Sequence, residues 1–218
     1  MIGRVNILQA DPSKIDAGIA FVRDRIQPLV DSLPGSRGLG MWVNRETGDV
    51  VVNTVWDDRA ALDASEGHVT EVRAEAAEIV GAKTVRVELG EPIVVWQAAA
   101  DQPGYWSRSV EMDVPTDRIE EGIAVFRDEL LPSVQQIPGV NTVVLSLNRD
   151  TGHTMLNVTY RSRAELDAAR ATADKLRAGI VSRFGAGEPT VRELETTIVG
   201  IRGPATIDLT ATESRAEV

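Results

Sequence analysis

The chain repeats itself. The segment IDAGIAFVRDRIQPLVDSLPG, starting at Ile15, returns as IEEGIAVFRDELLPSVQQIPG, starting at Ile119, an offset of 104 residues. At that offset Gly18 meets Gly122, Arg23-Asp24 meets Arg127-Asp128, Pro28 meets Pro132, and Pro34-Gly35 meets Pro138-Gly139. Further on, Asn44-Arg45, Thr47-Gly48, Asn53 and Leu62-Asp63-Ala64 meet Asn148-Arg149, Thr151-Gly152, Asn157 and Leu166-Asp167-Ala168. Identities fill 20 of the 50 positions from Ile15 to Ala64. Beyond Ala64 the match thins, then returns at Gly81-Ala82 and Gly185-Ala186. A repeat of this length is one supersecondary unit used twice, so the fold has to be built from two copies of it.

Within each copy the hydrophobic period alternates. Residues 2–8 and 109–114 read as short strands. Ser13 followed by Asp16, and Asp117 followed by Glu120, stand at capping-box spacing. Ile15, Ile19, Val22, Ile26, Leu29, Val30 and Leu33 then recur at three and four, the apolar stripe of a helix that Pro-Gly ends in both copies. A hairpin follows, strand 37–43 returning as 50–56 across a loop of turn formers, Asn44 to Asp49. A second helix runs from about Arg59 to Val80, and its counterpart opens on Ser162 with Glu165 three residues on, a capping box. Strands near 84–89 and 190–194 close each unit. The order β-α-β-β-α-β is the ferredoxin-like motif. It gives an α+β fold of two ferredoxin-like repeats, residues 1–96 and 109–202, with 97–108 as linker and 203–218 as a C-terminal tail, mobile or an arm on a neighbour. One such unit leaves a sheet face bare, and duplication supplies its cover as an intramolecular pseudo-dimeric α/β barrel.

Strand alternation sorts the hairpins into faces. Pairing Val43 with Val50 puts Leu39, Met41, Val43, Val50, Val52, Thr54 and Trp56 on one face, answered by Val143, Leu145, Leu147, Leu156, Val158 and Tyr160. This greasier face belongs under the helices. Asn53 and Asn157 fall on the other, which should line the seam between the copies, and a buried hydrogen-bonded pair is expected of them there.

The formal charge of −10 argues against nucleic acid, because arginines alternate with acidic residues along the helices instead of forming a basic stripe. It disfavours an anionic membrane surface for the same reason. No apolar run reaches the roughly 18 residues of a membrane span. Charges interrupt the first residues where a signal peptide needs its apolar stretch, so a cytoplasmic protein is expected. With no cysteine, thiolate metal sites, cysteine nucleophiles and disulfides are excluded. Two histidines fall short of a zinc or iron set, and no metal or cofactor is expected. Gly38-Leu39-Gly40 and Gly81-Ala82 read as turns or close strand packing, since neither opens a helix after a strand as a phosphate loop does.

The Pro-Gly turn after helix 1 and the hairpin ending in Trp56-Asp57-Asp58-Arg59-Ala60-Ala61-Leu62 resemble the dimeric α/β-barrel superfamily, and within it the antibiotic-biosynthesis-monooxygenase-like branch. The resemblance covers both copies. It implies a pocket between sheet and helices near Trp56 and Tyr160, and a cofactor-independent oxygenase acting on a small aromatic or polyketide-like substrate that itself activates oxygen. The alternative is a non-catalytic ligand-binding or stress-related barrel, either one a monomeric pseudo-dimer or a homodimer.

Ligand-pocket candidates are therefore Trp56, Met41, Thr54 and Tyr160. Some members place an asparagine four residues before the tryptophan. Asn53 and Asn157 stand three before Trp56 and Tyr160, hence on the opposite face. Haem-degrading members ligate iron through a helix-2 histidine, but His68 lies roughly 120° off the apolar stripe and is expected in solvent. His153, in the hairpin loop, is expected at the surface. Because Phe184 replaces Val80 at the end of helix 2, copy one is expected to hold the more open pocket, with the Trp56 indole N–H orienting the ligand.

Overall fold

A computed structural model describes residues 1–98 and 105–202. The first repeat contains β1 (Ile2–Gln9), helix α1 (15–32), β2 (Ser36–Val43), β3 (Asp49–Trp56), α2 (Arg59–Ile79) and β4 (Thr84–Gln97). The second contains β5 (Trp106–Asp113), α3 (119–135), β6 (Val140–Leu147), β7 (His153–Tyr160), α4 (Arg163–Phe184) and β8 (Thr190–Val199). The eight strands are hydrogen-bonded in the order β1-β3-β2-β8-β5-β7-β6-β4 and close as a barrel. The expected α+β architecture of two ferredoxin-like repeats is what forms. The tail from 203 and residues 99–104 of the expected linker lie outside the described residues.

Both hairpins keep the register that the alternation predicts, with Val43 opposite Val50 and Leu145 opposite Leu156. The shared Asn-Arg-x-Thr-Gly sequence makes the turn. Asn44 Oδ1 accepts the N–H groups of Glu46 and Thr47 at 2.9 and 3.0 Å, and Asn148 Oδ1 takes those of Asp150 and Thr151. Such a side chain mimics a backbone turn, which is why both copies keep it. Gly38 sits at a bulge with φ +106°, where a Cβ would come within 1.9 Å of the Gly200 carbonyl. Only glycine tolerates that approach, so the Gly-Leu-Gly run is close strand packing as expected.

Three local features differ from the sequence reading. The last strand of each repeat runs well past its expected end, β4 through Gln97 and β8 through Val199. Pro92, which lacks the N–H of a ladder residue, masked the continuation. It opens the segment 92–97 that packs with the second compact unit, and 193–202 pack with the first. Among the described residues, unit 1 is thus 1–91 with 193–202, and unit 2 is 92–98 with 105–192.

The first helix of each repeat is also not capped where expected. Asp11, not Ser13, accepts at the start of the first turn, from Ser13 N and Oγ at 2.9 and 2.7 Å, and neither α1 nor α3 has a side-chain cap on its α-helical start. The capping residue expected of α4 does form, with Glu165 N–H donating to Ser162 Oγ at 3.2 Å.

Finally, α1 and α3 each contain a π turn, Val22–Ile26 and Phe126–Leu130, with Gln27 N–H reaching Val22 O and Leu131 N–H reaching Phe126 O. The cause is Pro28 and its counterpart Pro132. Each prolyl ring has no N–H to give and would press on the carbonyl four residues earlier, so the preceding turn widens.

Each unit has its own core. Unit 1 buries Ile15, Val30, Leu39, Val43, Trp56 and Leu62, and unit 2 buries Val143, Leu147, Tyr160, Leu166 and Phe126. In both, the helices cover the greasy face of the repeat's strands, which is the face on which the candidate pocket residues lie.

Candidate functional site

Unit 2 contains a cavity of about 120 Å³ between its strands and helices. The sheet side presents Val110, Met112, Leu145, Leu156 and Tyr160; the helix side presents Phe126, Leu130, Ala173, Ile180 and Phe184. The π turn shapes this wall. Phe126, Leu130 and Val134 all face the cavity at intervals of four, a spacing an α-helix rotates away from by about 40° per step. The wide turn absorbs that rotation. π turns recur at functional sites for this kind of reason.

The wall is apolar apart from a few groups, chiefly Arg108 from β5 and Arg177 from α4. Arg108 is only 5% exposed, and its guanidinium is bound to Asp174. Arg177 donates to the same carboxylate at 3.2 Å.

Unit 1 has the equivalent cavity at about 60 Å³, lined by Met41 and Thr54 among others. Two of the four candidates, Met41 and Thr54, therefore line the smaller cavity, Tyr160 lines the larger, and Trp56 lines neither. Trp56 is fully buried, and its indole N–H donates to Thr54 Oγ1 at 3.1 Å. The donor expected to orient a ligand is already taken. The expectation that copy one holds the more open pocket is likewise overturned.

The reasons are steric. At the 104-residue offset, Val69 of α2 becomes Ala173 of α4, removing two methyl groups from the middle of the wall. Phe184 does not plug the space, as its size suggested. It lies at the wall's end under the guanidinium of Arg118, 4.6 Å from the ring centroid, and borders the cavity. A Cβ on Gly18 would sit 2.3 Å from Val80, whereas one on Gly122 would clear Phe184 by 3.9 Å. The first helix thus lies tighter on the second in unit 1.

The remaining candidates sort as follows. His68 is exposed on α2, as expected. His153 is not at the surface: it opens β7 with a side chain 15% exposed, its Nδ1 is 2.7 Å from Asp113, and its Nε2 is 3.5 Å from the buried Glu111. Its place on the strand, opposite Asp113, draws it in. In place of the expected asparagine pair, Asn157 accepts from Ser107 of its own unit at 2.7 Å, while Asn53 Oδ1 is buried without a partner among the described residues. No group of three His, Cys, Asp or Glu among the described residues is arranged to hold a metal. Sequence reasoning missed the arginines, although Arg4 and Arg108 meet at the repeat offset on the first strand of each copy, as do Arg73 and Arg177 on the second helix.

In unit 1 the arginine pair is held by groups of the protein. Arg4 donates to Ser65 Oγ at 3.2 Å and Leu62 O at 3.1 Å and lies 2.7 Å from Glu66, which also binds Arg73. Burial lowers the Arg4 pKa below the ordinary arginine value against the opposing pull of Glu66. Burial also pushes Glu66 upward, but hydrogen bonds from Arg73 and Thr70 and the charge of Arg4 outweigh it and hold the carboxyl below 4.5. A depressed folded-state pKa contributes stability that is present above the unfolded value and is lost as pH falls through the folded one. Glu66→Gln should therefore flatten the loss of thermal stability below about pH 4.5, leaving its slope at neutral pH unchanged; melting temperatures across the acid range check this.

Comparison with known proteins places this geometry. The antibiotic biosynthesis monooxygenase family matches residues 1–71. An uncharacterized Mycobacterium tuberculosis protein, Rv2557, is 27% identical over 201 residues, 92% of this chain and 89% of its own length. A candidate monooxygenase from Lactobacillus acidophilus superposes with a TM-score of 0.69 at 17% identity, covering 95% of this chain and 99% of its own. An anthrone oxidase-like protein superposes equally well, TM-score 0.69 at 14% identity and 94% of each chain. These structures share the fold.

Proposed function

We propose that this chain, whose residues 1–71 match the antibiotic biosynthesis monooxygenase family and which has the tandem dimeric α/β-barrel fold, binds a small, largely apolar organic molecule in the cavity of unit 2. The observation that carries this reading is the cavity itself. Its volume of about 120 Å³ is of the order of the roughly 150 Å³ apolar cavity that admits a benzene-sized guest. A concave, mostly apolar site with a few convergent polar groups is what small-molecule recognition uses. Calorimetric titration with benzyl alcohol tests it: saturable one-to-one binding is expected, and no heat at millimolar ligand would contradict it.

The family description favours a second step on the same site, a cofactor-independent oxygenation of a small aromatic or polyketide-like substrate. Here the chain's contribution is to bind and desolvate the substrate and to set cationic groups beside the charge it develops. Oxygen uptake with an electron-rich phenol, lost on blocking the cavity, is the expected result. Binding without uptake would leave a ligand-binding barrel.

A further inference from the structure

The two cavities differ in chemistry as well as in size. Asn6 of β1 and Thr54 of β3 both line the cavity of unit 1, each only 7% exposed. In the β1–β3 register Asn6 faces Val52 and Arg4 faces Thr54, which makes Asn6 and Thr54 diagonal neighbours on one face of the sheet. At the repeat offset they become Val110 and Val158, and both valines line the cavity of unit 2. Copy one keeps a polar pair where copy two has hydrocarbon.

The protein leaves that pair short of partners. Asn6 Oδ1 is buried with no hydrogen-bond partner among the described residues, and Asn6 Nδ2 reaches Val52 O only at 3.4 Å, beyond the usual range for such a bond. Thr54 Oγ1 accepts from the Trp56 indole N–H at 3.1 Å, and its own proton has no acceptor among the described residues. The charged side chains of this wall, Arg4 and Arg73, are held by Leu62, Ser65, Glu66 and Thr70. Buried polar groups are paired in native proteins, with ordered water where the chain supplies nothing. One hydroxyl meets both needs here, since it donates to the carboxamide oxygen and accepts from Thr54. The space suits a small guest: about 60 Å³, against roughly 10–15 Å³ for a water and roughly 150 Å³ for the cavity that admits benzene. We infer that the unit 1 cavity is a hydroxyl-binding site, where Asn6 and Thr54 together hold water or the head of a short aliphatic alcohol. This second site does not depend on the reading of the unit 2 cavity.

Methanol and xenon, titrated separately into the methyl-labelled protein, test it. Methanol should shift the Leu39, Val50, Val52 and Val69 methyls around this cavity along one saturation curve. Xenon enters dry apolar cavities and should leave the same methyls in place. Asn6→Val, which installs the residue of copy two, should weaken methanol about tenfold, the worth of one hydrogen bond, and let xenon in. Thr54→Ser keeps the hydroxyl and should hold methanol within about twofold of the wild type. Magnetisation transfer between the Asn6 carboxamide protons and a long-lived water separates the two occupants. A water signal that methanol removes assigns the site to alcohols, and one that persists while no methyl shifts assigns it to water alone; both keep the hydroxyl inference. Xenon shifting these methyls in the wild type would overturn it, as would methanol binding undiminished by Asn6→Val. So would the absence of both a water signal and methanol shifts.

Discussion

Trp56→Ala is expected to lower the unfolding free energy by about 3–5 kcal/mol and to leave ligand binding in unit 2 unchanged. The side chain is completely buried in the unit 1 core, and its indole N–H is satisfied by Thr54. Truncation forfeits the transfer energy of the ring and opens a void that neighbouring strands cannot close. Urea unfolding followed by circular dichroism measures the first effect, and the benzyl alcohol titration measures the second. A loss of binding comparable to the loss of stability would mean that Trp56 takes part in recognition.

The second large effect concerns Ala173. Replacing it with Phe adds a benzene-sized group to the wall of a benzene-sized cavity, so benzyl alcohol binding should fall at least about a hundredfold, which is some 2.7 kcal/mol of lost affinity. The stability cost should be small, because the ring enters empty space instead of a packed core. Overpacking would show as a loss of about 1–3 kcal/mol, readable in the same urea titration. Ala173→Val, which copies Val69 of the first repeat, should fall between the two. Undiminished binding in the Phe variant would place the ligand elsewhere.

The fold was legible because its determinants are local and duplicated. The paired hairpins, the Asn-Arg-x-Thr-Gly turn and the Pro-Gly stops each appear twice, and a one-residue register error would have turned Met41, Val43 and Val50 out of the core together. The extent of β4 and β8 was not legible. The tertiary partners of 92–97 and 193–199 lie far away in sequence, and Pro92 looks locally like an end. The π turns were written in Pro28 and Pro132, but a proline inside a helical pattern can end, kink or widen the helix, and packing decides which.

The site was legible to the level of its face. Tyr160, Met41 and Thr54 were found by alternation, because lining a sheet–helix cavity and lying on the greasy face are the same condition. The choice between copies was not. It depends on whether a larger residue fills a space or only borders it, and Phe184 at the end of α4 does the second. The arginines escaped because an arginine on a strand normally signals solvent. Only the structure places Arg108, 5% exposed, against the cavity.

Unit 2 as the binding unit is most directly tested by titrating benzyl alcohol into the methyl-labelled protein and following the carbon–proton spectrum. The Ile123, Leu145, Leu156 and Ile180 methyls all line the larger cavity and should shift together along one saturation curve. Those of Leu39, Val50 and Val69, around the smaller one, should stay in place. Saturable shifts confined to the second group, or none in either, would contradict the assignment.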